Sequence, residues 1–160
     1  MRGDAKVIEF LNDQLTAELT AVNQYFLHAA MQKNNGWAKL AKHTYHESID
    51  EMKHAEALTD RILFLEGVPN LQKLNGLRIG ETVREMLEAD LAVEVEAVAR
   101  LREGITYMRS IGDVTSAALF ESILASEEEH LDYLETQLSL HDQLGEALYL
   151  AGLVEPPSGD

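Results

Sequence analysis

The 160-residue chain contains no cysteine. That absence excludes disulfides, zinc–thiolate sites and iron–sulfur clusters, and leaves oxygen and nitrogen as the donors for any metal. Proline is scarce, with only Pro69, Pro156 and Pro157, so little interrupts long helices. No stretch reaches the roughly eighteen consecutive apolar residues that a bilayer span needs. Met1-Arg2-Gly3-Asp4 leads directly into an amphipathic segment, without the apolar core or cleavage site of a secretory signal. A soluble, cytoplasmic protein with no membrane partner is therefore expected. Positive charge is also sparse: 13 Lys and Arg against 28 Asp and Glu give a net charge of −15. Nucleic-acid binding depends on neutralising phosphates with basic side chains, so this balance argues against it. The same acidity attracts cations, although it is equally what keeps a protein in solution. What remains is a globular composition, 46% apolar and long enough for one domain with a sizeable core.

Glycines punctuate the chain at Asn34-Asn35-Gly36, Gly67-Val68-Pro69, Gly76, Gly80, Gly112-Asp113 and Gly145. Helices are predicted between them at about 5–34, 37–65, 81–111 and 114–140, with a shorter fifth at about 145–153. Asp4 and Asp113 are natural N-caps. Gly104 is the exception, sitting inside a helical stretch at a cost of about 1 kcal/mol relative to Ala. The segment from Glu66 to Gly80 is too long for a tight turn and suits a crossover running the length of a bundle. The predicted fold class is all-α: a four-helix bundle with that crossover between its second and third helices.

Steps of three and four residues define an inward stripe on each helix. The first runs Leu11, Leu15, Glu18, Val22, Tyr25; the second Thr44, Glu47, Glu51, His54, Leu58; the third Leu87, Asp90, Glu94, Ala97; the fourth Phe120, Ile123, Glu127, His130, Leu134. Each stripe is apolar at its ends and ionisable in the middle. Glu18, Glu51, His54, Glu94, Glu127 and His130 therefore converge at one depth of the bundle, with no Lys or Arg among the inward positions. Buried unpaired carboxylates are heavily penalised, and bound metal cations supply the missing positive charge.

Spacing sharpens this expectation. Glu51-Met52-Lys53-His54 and Glu127-Glu128-Glu129-His130 are both Glu-x-x-His, which places Glu and His one turn apart on one face. A single Glu precedes each motif by 33 residues, so Glu18, Glu51 and His54 recur as Glu94, Glu127 and His130 at a constant offset of 76. Two matched half-sites predict a pseudo-two-fold centre for two metal ions, an arrangement already known from ferritin-like di-iron proteins. Two divalent ions and four carboxylates nearly cancel in charge, and the carboxylate–imidazole set suits Fe, Mn or Zn. Tyr25 lies one heptad after Glu18. It is either a hydrogen-bond donor to a ligand carboxylate or a core tyrosine that merely satisfies its hydroxyl.

These residues, with Asn23-Gln24-Tyr25-Phe26-Leu27-His28, Tyr45-His46-Glu47-Ser48-Ile49-Asp50-Glu51-Met52-Lys53-His54-Ala55 and Arg61-Ile62-Leu63-Phe64-Leu65-Glu66-Gly67, make the chain resemble the bacterioferritins. The resemblance covers essentially the whole chain, residues 1–160, as a single ferritin-like domain. It implies a hollow homo-oligomeric cage of 24 subunits built from two-fold dimers. Fe(II) would be oxidised with O2 or H2O2 at the intrasubunit di-iron centre, and the ferric product stored inside. All six family ligands are present. The chain departs from other family members at position 58, which is Leu, and at position 133, which is Tyr, where tyrosine and tryptophan respectively can act as redox side chains.

Met52 follows Glu51 and so points ~100° away from the metal face. With Tyr45 and Ile49 it makes an outward stripe, matched on the first helix by Leu19, Asn23 and Phe26. Such a stripe marks a contact with another copy of the chain. Met52 is then either a gap-filler in that interface or, as the resemblance implies, an axial ligand of haem b shared between two subunits. The resemblance also gives His46 and Asp50 a role as an inner-surface iron site; the alternative is a solvated pair on the cavity wall. It further implies iron release through a small ferredoxin docking near Val68, Glu81 and Glu85. His28, His43 and His141 have no partner in the pattern and are expected at the surface.

Three other readings compete. One is a haem-binding electron-transfer scaffold whose bundle site is vestigial or holds another metal. Another is a non-storage di-iron protein such as a rubrerythrin or a dodecameric ferritin; missing cysteine pairs oppose the former, and the fifth helix with an intrasubunit ligand set opposes the latter. A purely structural bundle leaves six inward ionisable residues unexplained.

Overall fold

The computed structural model describes residues 1–155. Pro156, Pro157 and the end of the expected domain at Asp160 lie outside them. The described residues form five helices and no strand: α1 (Ala5–Asn34), α2 (Ala38–Phe64), α3 (Val83–Ser110), α4 (Val114–Leu144) and α5 (Glu146–Ala151). The all-α bundle with its crossover is as expected. α4 continues to Leu144 instead of ending near 140, since nothing before Gly145 breaks its backbone pattern. α3 begins two residues later than expected because Thr82 caps it, accepting from the Glu85 amide. Asp4 and Asp113 cap α1 and α4 through the amides of Lys6, Val7 and Ser116.

α1 packs chiefly against α2, and α3 against α4, each pair closed by a short turn. The second turn needs Gly112 at φ +81°, a left-handed conformation unfavourable for other residues. The long connection from α2 to α3 is strapped to one polar face of α1. Asn12 accepts from the Asn70 amide, Thr20 from Asn75, Gln24 from Arg78 and His28 from Gly80. These four side chains ascend α1 as the crossover ascends beside it. The strap delivers α3 to the far end of α1, so the two helices run antiparallel; Gln24 then meets Asp90, and Asp4 meets Tyr107.

His28 corrects the expectation for a surface histidine. It is fully buried, with Nδ1 2.8 Å from Asp90 Oδ1 and Nε2 accepting from the Gly80 amide. Its partners lie on α3 and on the crossover, far away in sequence, so helical periodicity gave no sign of them. His141 is also half-buried, beside Arg84. His43 is partly covered, stacked on the Tyr133 ring with centroids 3.4 Å apart.

Two apolar clusters fill the bundle. One joins Val7, Leu11 and Leu15 to Leu58, Leu101 and Phe120. The other gathers Leu40, Val83, Leu87 and Leu134 beneath Tyr149 and Leu153 of the α5 region. Gly104 belongs to the first: a Cβ there would lie 2.4 Å from Phe120 Cε2. The ring occupies the space that a side chain would need, which explains a glycine within α3. Gly104→Ala is expected to destabilise the protein, because overpacking costs about 1–3 kcal/mol and exceeds the ~1 kcal/mol of helix propensity gained. Chemical denaturation measures this; an unchanged or raised midpoint would show that Phe120 has room to move.

Candidate metal centre

Between the two apolar clusters the inward stripes turn ionisable. α1 supplies Glu18, α2 supplies Glu51 and His54, α3 supplies Glu94, and α4 supplies Glu127 and His130. All four carboxylates are at most 2% exposed, and His130 is 6% exposed. Their donor atoms form two overlapping groups, each drawn within 4.8 Å: Glu18, Glu51, His54 and Glu127, then Glu51, Glu94, Glu127 and His130. Glu51 and Glu127 belong to both groups. Glu51 turns Oε2 to His54 Nδ1 (3.8 Å) and Oε1 to His130 Nδ1 (3.0 Å). Glu127 turns Oε1 to His54 Nδ1 (3.1 Å) and Oε2 to His130 Nδ1 (3.4 Å). Glu18 faces His54 alone, at 3.4 Å, and Glu94 faces His130 alone, at 3.5 Å. The arrangement offers two positions with one terminal carboxylate and one imidazole each, spanned by two bridging carboxylates.

Hydrogen bonds do not account for these atoms. Glu18 Oε2, Glu51 Oε1, Glu94 Oε2, Glu127 Oε2 and His130 Nδ1 are buried without a hydrogen-bond partner among the described residues. The 3.0 Å approach of His130 Nδ1 to Glu51 Oε1 is close enough for an ion pair but is not directed as a hydrogen bond. Buried polar atoms normally find partners. A cluster of orphaned acceptors converging on common points is what cations would satisfy, and the oxygen–nitrogen set fits iron.

Neighbouring residues fix the ligand groups. Tyr25 is fully buried and its hydroxyl donates to Glu94 Oε1. Burial and the Glu94 charge push its pKa well up, so the phenol keeps its proton. Asp50 Oδ2 lies 3.2 Å from His130 Nε2, which turns Nδ1 towards the centre. His46 is exposed and joins Asp50 in no metal-holding group among the described residues. Gln14 Nε2 donates to Glu18 Oε1 at 2.8 Å. Gln14, one turn before Glu18, had received no role from the sequence. Neither had Glu47 and Asp90, although both lie on the inward stripes and are buried. Their partners, His43 for Glu47 and His28 with Gln24 for Asp90, draw them off the centre.

Met52 projects elsewhere, as its offset from Glu51 requires. It is 54% exposed, with Tyr45 and Phe26 comparably open. Asn23 is also exposed, while Leu19 and Ile49 are partly covered. Leu58 is fully buried in the larger apolar cluster, and Tyr133 lies against His43.

Burial opposes protonation of His54, but the Glu127 and Glu51 carboxylates outweigh it and lift the pKa to about 9. His130 is raised in the same way, against burial, by Glu127, Glu51 and Glu94. Burial, reinforced by Glu127, holds Glu94 well above the usual carboxylate range. A group with a raised folded-state pKa contributes stability that is complete below its unfolded value and is lost as pH climbs through the folded one. For His54 that window runs from 6.5 to about 9. The metal-free chain is therefore expected to unfold at lower denaturant near about pH 9.5 than near about pH 6. Saturating divalent metal should flatten the dependence by replacing the protons. A midpoint that rises over this range would contradict the arrangement.

A family model described as a ferritin-like domain matches residues 8–144. The bacterioferritin of Streptomyces coelicolor is 61% identical over 160 residues, covering 100% of this chain and 96% of that protein. Among solved structures, the Mycobacterium tuberculosis bacterioferritin superimposes with a TM-score of 0.97 at 58% identity, over 98% of this chain and 99% of that chain. A Rhodobacter capsulatus bacterioferritin, solved with a metal-free dinuclear site and haem iron in a crystallographic special position, gives a TM-score of 0.97 at 51% identity over 100% of both chains.

Proposed function

The chain belongs to the ferritin-like family and, within it, to the bacterioferritins, and on that footing we propose that it is a ferroxidase that oxidises Fe(II) and stores the ferric product. The observation that carries this reading is the cluster of buried, partnerless acceptor atoms shared by Glu18, Glu51, Glu94, Glu127 and His130, with His54 completing the set. Fe(II) is the substrate; two bound ions supply the electrons that reduce O2 or H2O2, and Fe(III) passes on to storage.

The chain's own groups shape the step. Glu51 and Glu127 present one oxygen to each half of the centre and keep two ions close together. Glu18 and Glu94 close the outer sides. Tyr25 holds Glu94 by a hydrogen bond, and Asp50 orients His130. The apolar clusters on either side keep the local dielectric low, so loss of any one carboxylate leaves a charge imbalance that water cannot screen. Asp50 is half-exposed, which suits a group on the route between centre and cavity wall, with His46 beside that route.

The exposed face bearing Met52, Tyr45 and Phe26 supports haem b binding at a two-fold subunit contact. An isologous interface brings two copies of Met52 together, and thioether ligation holds a haem iron. The Rhodobacter structure, with its haem iron on a symmetry element, supports the same reading. The assembly would be a 24-subunit homo-oligomeric cage. Val68, Glu81 and Glu85 are all exposed and would meet a small ferredoxin during iron release. No described helix is long and apolar enough to cross a membrane, and family membership supports action in the cytoplasm.

Metal-free protein mixed anaerobically with Fe(II) and then exposed to oxygen should show a fast phase saturating at about two irons per chain. The Glu18→Ala, Glu94→Ala double variant should lose that phase, and an unaltered rate would refute the assignment. Met52→Leu should abolish the absorbance of bis-methionine haem while leaving the first fast phase intact. Haem retained in that variant would remove Met52 from the axial position.

A further inference from the structure

Resting on the di-iron reading above, we propose that Gln14, backed by Arg100, is a positioning residue that restricts Glu18 to binding metal through Oε2 alone. Gln14 is 1% exposed and lies one turn before Glu18 on the same face of α1. Its Nε2 donates to Glu18 Oε1 at 2.8 Å, and its Oε1 faces Arg100 Nη1 at 3.4 Å. This amide orientation satisfies both neighbours, because a carboxylate accepts and a guanidinium donates. The ligand oxygen Oε1 is thereby occupied. Oε2 remains buried and partnerless, 3.4 Å from His54 Nδ1, aimed into the centre. Although no cation lies on the inward stripes, one amide links Arg100 to a ligand carboxylate.

The device has no counterpart in the other half. At the offset of 76 that relates Glu18 to Glu94, Gln14 corresponds to Asp90. Asp90 accepts from Gln24 and pairs with His28, and as a carboxylate it is no donor for Glu94. Tyr25 from α1 holds Glu94 instead, and it holds Oε1, the oxygen that faces His130. On the Glu18 side the held oxygen is Oε1, while Oε2 is the one that faces His54. The two metal positions, equal in ligand type, thus differ in which terminal oxygen is free.

The test uses Co(II), whose d–d absorbance reports coordination, titrated into intact metal-free protein and followed in parallel by equilibrium dialysis. Wild type should bind about two Co(II) per chain. Gln14→Met, which keeps the shape but removes the donor, should weaken one of the two on the order of 10-fold and change its d–d spectrum, leaving the other within about two-fold. The affected step should be the one that Glu18→Gln removes, and in the Glu18→Gln background Gln14→Met should have no further effect on Co(II) binding. Arg100→Met should produce a smaller loss at the same step, and it carries the test if Gln14→Met does not fold. Equal weakening of both steps, no change at either, or an undiminished effect in the Glu18→Gln background would each overturn the proposal while the di-iron reading stands. Wild type that binds no Co(II) would overturn both.

Discussion

Everything in this fold is arranged around four buried carboxylates and the two imidazoles that meet them at mid-bundle. Charge in such a place is tolerated only if opposite charge accompanies it. Protons on His54, His130 and Glu94 serve in the metal-free chain, as their raised pKa values record. They satisfy the charge but not the geometry: several acceptor atoms stay without partners, pointing at two common positions. Cations would satisfy both, and metal affinity and stability would then be coupled to pH through the same atoms.

Holding that cluster in register is a task for parts of the chain that touch no metal. The crossover is the least regular described segment, yet its backbone amides at Asn70, Asn75, Arg78 and Gly80 are all accepted by side chains of α1. Gln24 and His28 use their remaining polar atoms on Asp90. One polar ladder therefore fixes the path of the crossover and the height of α3 against α1, and that height places Glu94 opposite Glu18. Gly104 sets the opposite end by letting Phe120 of α4 approach α3 without a side chain between them.

The pseudo-symmetry in the sequence describes ligand types better than it describes their surroundings. Glu51 and Glu127 do have equivalent surroundings, each facing both His54 and His130. The terminal carboxylates do not, since an amide from the same helix holds one and a phenol from a neighbouring helix holds the other. Repetition at a constant offset keeps the residue types that meet at the centre and leaves their supports free to differ. Unequal supports of this kind would let two nominally matched positions bind ions unequally.

Much of this was legible from residue spacing alone. Interrupted apolar stripes, two Glu-x-x-His motifs and two matched glutamates specify the helices and the six inward ionisable groups, because period 3.6 dictates which side chains share a face. Met52 could be read outward for the same reason. Spacing within a helix says nothing of partners on another. The burial of His28, the diversion of Asp90 to it, the contact of Asp50 with His130 and the choice of which Glu18 oxygen is free all join residues of different elements, or depend on a rotamer that a third residue sets. The sequence determined the helices and the chemistry they carry inward. Tertiary packing decided the support of each ligand, because those contacts exist only once separate helices are brought side by side.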